Sequence, residues 1–172
     1  MSGFTSSTNI EGIRDTRSKF KALYIYSIAT YIEWPSEYRK GMFIIEVYDQ
    51  KNGLYDALVR DYNGKSIGSQ EIKIVKYNPA TKNKSHILYV SKENSTKLTR
   101  IETSLKNKST LLISDRPGDL DKGATINFII ENNKQCFEID KSNAKKHDLI
   151  LASRLNTLAL RVKKWFWTNT YR

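Results

Sequence analysis

Residues 111–140, with the sequence LLISDRPGDLDKGATINFIIENNKQCFEID, constrain the possible fold more than any other stretch of the chain. The apolar run at 111–113 predicts a buried strand. A polar loop at 114–123 follows it, with three aspartates and two glycines. Residues 124–130 and 135–139 then predict two strands joined by a short turn. We therefore expect one core strand that ends in a shaped loop, followed by a hairpin.

Helices and strands alternate over the rest of the chain. Residues 17–34 predict a helix that is apolar around much of its circumference, so we expect it to lie between two layers. A last helix is predicted at 153–165 from its i, i+3, i+4, i+7 pattern. This order predicts an α/β fold, a layered domain with a mostly parallel central sheet flanked by helices and a C-terminal antiparallel hairpin. The other predicted elements are strands at 42–48, 72–77 and 85–91, helices at 54–62 and 98–105, and a helical turn at 142–146.

The length of 172 residues predicts a single domain. We expect it to occupy residues 17–166, after a flexible N-terminal lead or expression remnant at 1–16 and before a basic aromatic tail at 167–172. No export signal is visible at the start, and we expect one to have been removed. No apolar run approaches the roughly 20 residues that a membrane span requires.

The net charge of +11 favours an anionic partner, but it does not identify one. Lys and Arg are spread along the whole chain, which is typical of a solvated surface. A basic nucleic-acid or anionic-surface binding protein is therefore kept as the alternative class. No recognition-module signature supports it, and no nucleic acid is expected as a partner.

Catalytic motifs are missing from the sequence. It contains no GxSxG, no HExxH and no paired cysteines, and Val59 stands where a phosphate-binding loop ending at 64–66 would need glycine. We expect no enzyme activity and no cofactor. His86 opens a strand and is expected to anchor a hydrogen bond, and Cys136 is expected to fill a core position.

Three aspartates in the loop, Asp115, Asp119 and Asp121, are oxygen ligands of the kind that Ca²⁺ uses. Their spacing does not match the calcium loop of a helix-loop-helix motif, so we predict that they solvate and shape the loop and that there is no metal site.

A small ligand would bind beyond the carboxyl ends of the parallel strands, where open α/β sheets form a crevice. The alternative, that these residues only cap and turn the chain, remains open. The predicted ligand-binding residues are Ser91, Ser114, Asp115, Arg116 and Gly118.

The aromatic residues Trp167 and Tyr171 follow the last predicted helix among positive charges. Exposed aromatics beside Lys or Arg suit a partner-binding surface or a membrane headgroup region. Packing back on the domain is an equal alternative.

Four segments stand out along the chain: KALYIYSIATYIEWP at 21–35, SHILYVS at 85–91, the stretch 111–140, and ASRLNTLA at 152–159. Each is a weak signal alone, but together, in this order and spacing, they resemble the YfiR family of bacterial signalling proteins. The single cysteine departs from members that form disulfides.

The resemblance implies a non-enzymatic periplasmic regulator. Such proteins look like inhibitors that bind the outer part of a membrane-bound diguanylate cyclase and lower cyclic-di-GMP, which restrains biofilm formation. Other membrane sensors, such as histidine kinases, remain alternative partners. A homodimer is also expected, because exposed aromatics and a sheet edge favour one. The sequence leaves the small-molecule ligand unidentified.

Overall fold

The computed structural model describes residues 7–81 and 84–163, with side chains from Gly12 onward. Short 3-10 turns cover Ser36–Tyr38, Lys92–Lys97 and Asp119–Lys122. The helices are α1 (Ser7–Ala29), α2 (Gly53–Tyr62), α3 (Leu98–Ser104), α4 (Lys141–Lys146) and α5 (Ser153–Leu158). The strands are β1 (Ile32–Glu33), β2 (Phe43–Tyr48), β3 (Ser66–Ile67), β4 (Gln70–Lys76), β5 (Ile87–Val90), β6 (Leu111–Ser114), β7 (Ile126–Glu131), β8 (Lys134–Asp140), β9 (Ile150–Leu151) and β10 (Arg161–Lys163).

Eight strands form one central sheet in the order β10-β8-β7-β6-β5-β2-β4-β3. Strands β4, β2, β5, β6 and β7 are mutually parallel, whereas β7 and β8 form an antiparallel hairpin. The predicted α/β fold with a mostly parallel sheet and a C-terminal hairpin is therefore confirmed. The short β3 adds a second antiparallel pair at the other edge.

Helices cover both faces of the sheet, as the side chains of β5 show, which point alternately to one face and the other. Ile87 and Tyr89 face a cluster that also holds α1 and α2, while Leu88 and Val90 face a cluster that holds α3. All four side chains are buried. This explains why β5 is a continuous apolar run, because a parallel strand covered on both faces has no polar side.

Helix α1 differs from its prediction at both ends and in its surroundings. It begins at Ser7, so residues 7–16 of the expected flexible lead are helical, and it ends at Ala29. The domain boundaries themselves stay a prediction. The expected position between two layers is wrong, because Phe20 and Leu23 are about half exposed while Ala22 and Ile25 are buried. Only one face of α1 packs on the sheet.

The last predicted helix, 153–165, is wrong over residues 159–163, and residues 164–165 lie outside the described part of the chain. Ala159 adopts extended backbone, and residues 161–163 form β10 parallel to β8. The edge of β8 offers unpaired backbone groups, and Arg161 and Lys163 meet the carboxylates of Glu138 and Asp140 there, at 3.1 and 3.5 Å. Pairing along a strand edge therefore outweighs the helical pattern.

His86 lies in an aromatic cluster at the amino end of the sheet, between Phe43, Trp34 and Tyr38. Its Nδ1 accepts a hydrogen bond from the Ile44 N–H at 3.1 Å, and its Nε2 therefore donates to the Tyr38 carbonyl at 2.6 Å. The predicted anchoring role is confirmed. Burial lowers the pKa of His86 from its ordinary 6.5, although the Tyr38 hydrogen bond opposes this.

We expect the free energy of unfolding to fall as the pH drops below about 6.5, because the unfolded chain then binds a proton that native His86 does not. Above 6.5 this contribution is fully present. Urea titrations between pH 8 and 5 measure it. In His86→Gln, whose amide can replace both hydrogen bonds, the dependence should shrink. The control His147→Gln, which alters the other of the two histidines, should keep it. An unchanged slope in His86→Gln would contradict the assignment.

Candidate functional site

The sheet has a switch point at β2, because β4 and β5 lie on opposite sides of this strand. At such a point the loops leave the carboxyl ends of neighbouring strands in opposite directions and open a crevice. Asp49 follows β2 at this edge. Its carboxylate accepts hydrogen bonds from the backbone N–H groups of Lys51 at 3.1 Å and Leu54 at 3.2 Å. These bonds orient the start of α2.

Ser91 follows β5 at the same edge and is buried. Its backbone N–H donates to the Tyr48 carbonyl at 3.0 Å, and its hydroxyl accepts from Asn94 Nδ2 at 3.2 Å. Gln50 Nε2 in turn donates to Asn94 Oδ1 at 3.2 Å. These contacts join the ends of β2 and β5, so the polar groups of Ser91 are largely used within the protein.

Asp115 follows β6 and lies at the centre of a charged cluster. Its Oδ2 accepts from the Tyr89 hydroxyl at 2.8 Å and forms an ion pair with Lys21 of α1. The Lys21 ammonium also donates to the Tyr89 hydroxyl oxygen at 3.3 Å. The Asp115 side chain is only 8% exposed, and its Oδ1 is buried with no hydrogen-bond partner in the described part of the chain. This Lys21–Tyr89–Asp115 cluster joins α1 to the carboxyl edge.

Electrostatics keep Tyr89 in its neutral form. Burial raises the pKa of Tyr89 well above 10, and the negative charge of Asp115, its hydrogen bond, and the charges of Asp49 and Glu93 raise it further. Burial also raises the pKa of Glu93, but hydrogen bonds from its own backbone, Lys51 and Ser91 reverse this and leave the pKa lowered. The edge therefore gathers carboxylates around one buried phenol that acts as a donor.

The other predicted ligand residues have separate surroundings. Ser114 is fully buried, and its hydroxyl donates to Asn127 Oδ1 at 3.0 Å, which joins β6 to β7. Arg116 and Gly118 are exposed in the loop that follows. Gly118 has φ +87 and precedes the 3-10 turn. The structure thus brings Ser114 and Asp115 to one strand end without joining all five residues in a closed pocket.

The three loop aspartates have different partners. Asp115 binds Lys21, Asp119 accepts from Ser95 at 2.6 Å, and Asp121 pairs with Lys163 at 2.5 Å. Within residues 7–81 and 84–163 there is no group of three His, Cys, Asp or Glu side chains placed to hold a metal ion.

Sequence reasoning did not identify Lys21 and Tyr89 as parts of the site. Lys21 lies between the apolar turns of α1, and a lysine in that position is a signal, because a charge on a packed helix needs a partner. Tyr89 is less evident, since a tyrosine within an apolar strand fits a core position equally well. Only the packing of α1 on the sheet brings Lys21 and Tyr89 together.

A groove of about 720 Å³ lies between residues 12–24 of α1 and the β7–β8 hairpin. Phe20 and Tyr24 line it from α1, and Ile130 and Cys136 line it from the hairpin. The expected core position of Cys136 is wrong, since it is partly exposed. In β8 the side chain of Cys136 points to the face of the sheet opposite the core that holds Phe137. On that opposite face α3 packs over other strands and does not cover Cys136.

The predicted partner-binding residues Trp167 and Tyr171 lie outside the described residues. No helix in the described ranges has the length and apolar character needed to cross a bilayer.

Comparison with known families identifies the chain's relatives. The family model described as YfiR/HmsC-like (DUF4154) matches residues 18–160, which is most of the sequence. The chain belongs to the YfiR/HmsC-like family. The resemblance drawn from the sequence motifs is therefore confirmed. Members of the YfiR/HmsC-like family are periplasmic proteins with a regulatory role.

Solved structures share the fold of this YfiR/HmsC-like chain at low sequence identity. A conserved domain protein from Vibrio cholerae O1 biovar El Tor is 8% identical with a TM-score of 0.56, over 85% of this chain and 60% of its own. The ABC domain in complex with L-Trp from Streptococcus pneumonia is 7% identical with a TM-score of 0.51, over 71% and 55%. The chain thus spans little more than half of either structure. No curated protein matches its sequence.

Proposed function

We propose that this chain is a non-enzymatic periplasmic signalling regulator that binds the extracytoplasmic part of a membrane sensor. The proposed sensor is a diguanylate cyclase, whose synthesis of cyclic-di-GMP the chain inhibits, with biofilm formation restrained as a result. The observation that carries the proposal is the YfiR/HmsC-like family match over residues 18–160.

The geometry of the carboxyl edge supports binding over catalysis. The polar groups of Ser91, Ser114 and Asp115 are bonded to neighbouring strands or to α1. A nucleophile would need a base within hydrogen-bond reach and room for a substrate. Both histidines are buried and bonded to backbone carbonyls, His86 to Tyr38 and His147 to Lys108 at 2.8 Å.

Inhibition would operate as a population shift. Suppose that a regulator binds the inactive state of a sensor more tightly than the active state. At saturation it multiplies the ratio of inactive to active sensor by the ratio of the two affinities. The chain needs no catalytic group for this. A homodimer would present two such surfaces, and the exposed apolar side chains of Phe20 and Ile130 supply area for either contact.

A small ligand that controls this binding remains part of the proposal, at Ser91, Ser114, Asp115, Arg116 and Gly118. Asp115 gives the most support, because its buried Oδ1 is left without a partner in the described part of the chain. A buried acceptor gains from a donor, so a ligand with an N–H or O–H group suits this position.

Affinity capture tests the function. We expect the folded protein to recover a membrane protein with a diguanylate cyclase domain from detergent-solubilised membranes, and cells lacking the protein to contain more cyclic-di-GMP. The thermally unfolded protein on the same support is the control. Recovery of DNA or RNA alone, with binding that weakens steeply as salt is raised, would contradict the proposal and favour the nucleic-acid alternative.

A further inference from the structure

The groove between α1 and the β7–β8 hairpin is an apolar surface that no element of residues 7–81 or 84–163 covers. Three of its lining side chains, Ile13, Phe20 and Ile130, are 47%, 50% and 48% exposed. Ile13, Phe20 and Tyr24 recur along α1 at helical spacing and face the hairpin. From Gly12 to Tyr24 this stripe is about 18 Å long, at 1.5 Å per residue. A half-exposed apolar stripe of this length is typical of a binding surface.

The charge at the groove has one sign. Arg17 on α1 and Lys134 on the hairpin line it, and no carboxylate does. The neighbouring lysines of α1 are paired, Lys19 with Asp15 and Lys21 with Asp115. Neither Arg17 nor Lys134 makes an ion pair or side-chain hydrogen bond with another residue in the described ranges. Two unpaired cations beside an apolar floor complement a partner with apolar anchors and acidic flanks.

The shape of the groove favours a helix over the other occupants. An added strand would need a free sheet edge, but Leu160 and β10 pair with β8 from Phe137 onward, so among the described residues only 134–136 have an open edge. A small-molecule pocket would bury most of its lining, whereas Phe20 and Ile130 are half exposed. An amphipathic helix lays anchors at i, i+3 or i+4, and i+7 into a groove of this kind.

We propose that the groove between α1 and the β7–β8 hairpin binds an amphipathic helix whose apolar anchors are flanked by Asp or Glu. The assignment of that helix to the extracytoplasmic part of the membrane sensor rests on the proposed function. Phe20 and Ile130 are the central apolar contacts, and Arg17 and Lys134 fix the orientation of the acidic flanks.

Peptide binding tests the groove without the sensor. The probe is a helical peptide of about 14 residues, or about four turns, with Leu at i, i+3 and i+7 and Glu on the flanking positions. A second peptide carries Lys in place of Glu. The readout is the fluorescence anisotropy of a dye attached to the peptide and titrated with the folded protein, which gives a Kd for each peptide. The Glu peptide should bind at least about tenfold more tightly than the Lys peptide, because only its acidic flanks are attracted by Arg17 and Lys134.

Equal affinity for both peptides, or binding of neither, would overturn the proposal. Cosedimentation with phosphatidylglycerol vesicles, without binding of the Glu peptide, would also overturn it and identify the groove as a lipid-binding surface.

Two matched variants locate the contact. Phe20→Asp should weaken binding of the Glu peptide by about thirtyfold, the effect of losing a central anchor. Leu23→Asp changes a side chain of the same helix that is 48% exposed and does not line the groove, so binding should change less than about twofold. Ile130→Asp, on the hairpin, should repeat the Phe20 result. Equal affinity of the Phe20 and Leu23 variants for the Glu peptide would refute the groove as the binding site.

Capture of the sensor separates this inference from the proposed function. If wild type and Phe20→Asp capture the sensor equally, the groove assignment fails while the proposed function stands. If wild type binds the Glu peptide through the groove and captures no sensor, the groove stands and the proposed function fails.

Discussion

Replacing Asp115 by Ala is expected to lower the free energy of unfolding by about 3 kcal/mol, because it leaves the Lys21 ammonium and the Tyr89 hydroxyl without their shared acceptor. The Lys21 and Asp115 side chains are 19% and 8% exposed, so water replaces the lost carboxylate poorly. Removing one partner of such a pair costs more than the pair itself contributes. Urea denaturation of wild type and variant measures the difference.

The control is Asp121→Ala. Asp121 also pairs with a lysine, Lys163, but its side chain is 75% exposed, so its replacement should leave the stability nearly unchanged. The double variant Lys21→Met with Asp115→Leu should recover most of the stability, since it removes both charges and keeps the volume. If Asp115→Ala is no less stable than Asp121→Ala, then the cluster does not hold α1 on the sheet.

Replacing Gly123 by Ala is expected to lower the free energy of unfolding by about 3 kcal/mol, from strained backbone and overlap together. Gly123 has φ +106, and a Cβ placed there would overlap the Cβ and Cγ atoms of Glu102 on α3. These atoms lie close to the helix backbone, so α3 would have to shift. Thermal and urea denaturation measure the loss.

Gly118→Ala provides the matched control. Gly118 has φ +87 in the same loop, but a Cβ there would meet nothing within 4 Å. Its replacement should cost only the conformational strain, about 1 kcal/mol. Adding Glu102→Ala to Gly123→Ala should recover part of the loss. Equal destabilisation by the two glycine variants would show that the contact with α3 contributes nothing.

The sequence predicts those features that depend on local pattern. The apolar runs of β5 and β6, the loop from Ser114 onward and the hairpin that follows were all placed correctly, because burial on both faces and turn residues leave clear signals. His86 was also interpreted correctly, since a polar residue that opens a buried strand must bond to something.

Features that depend on contacts distant in sequence were not predictable. The pattern at 153–165 favours a helix, and only the open edge of β8 and the carboxylate of Glu138 make Arg161 part of a strand. Lys21 and Tyr89 meet only because α1 packs on the sheet near the carboxyl ends of β5 and β6. The groove likewise depends on how far α1 and the hairpin extend together, which no local pattern encodes.

The two-stranded sheet formed by β1 and β9 has a kinetic consequence. Ile32 pairs with Leu151, about 120 residues later in the chain, and the Ala152 N–H donates to the Tyr31 carbonyl at 2.9 Å. Closing so long a loop costs chain entropy before any contact offsets it, and high contact order slows folding. The β7–β8 hairpin can form early, whereas the β1–β9 sheet cannot form until residue 151 is available. While the chain is being synthesised or translocated, the end of α1 therefore stays exposed until residues 150–152 have emerged.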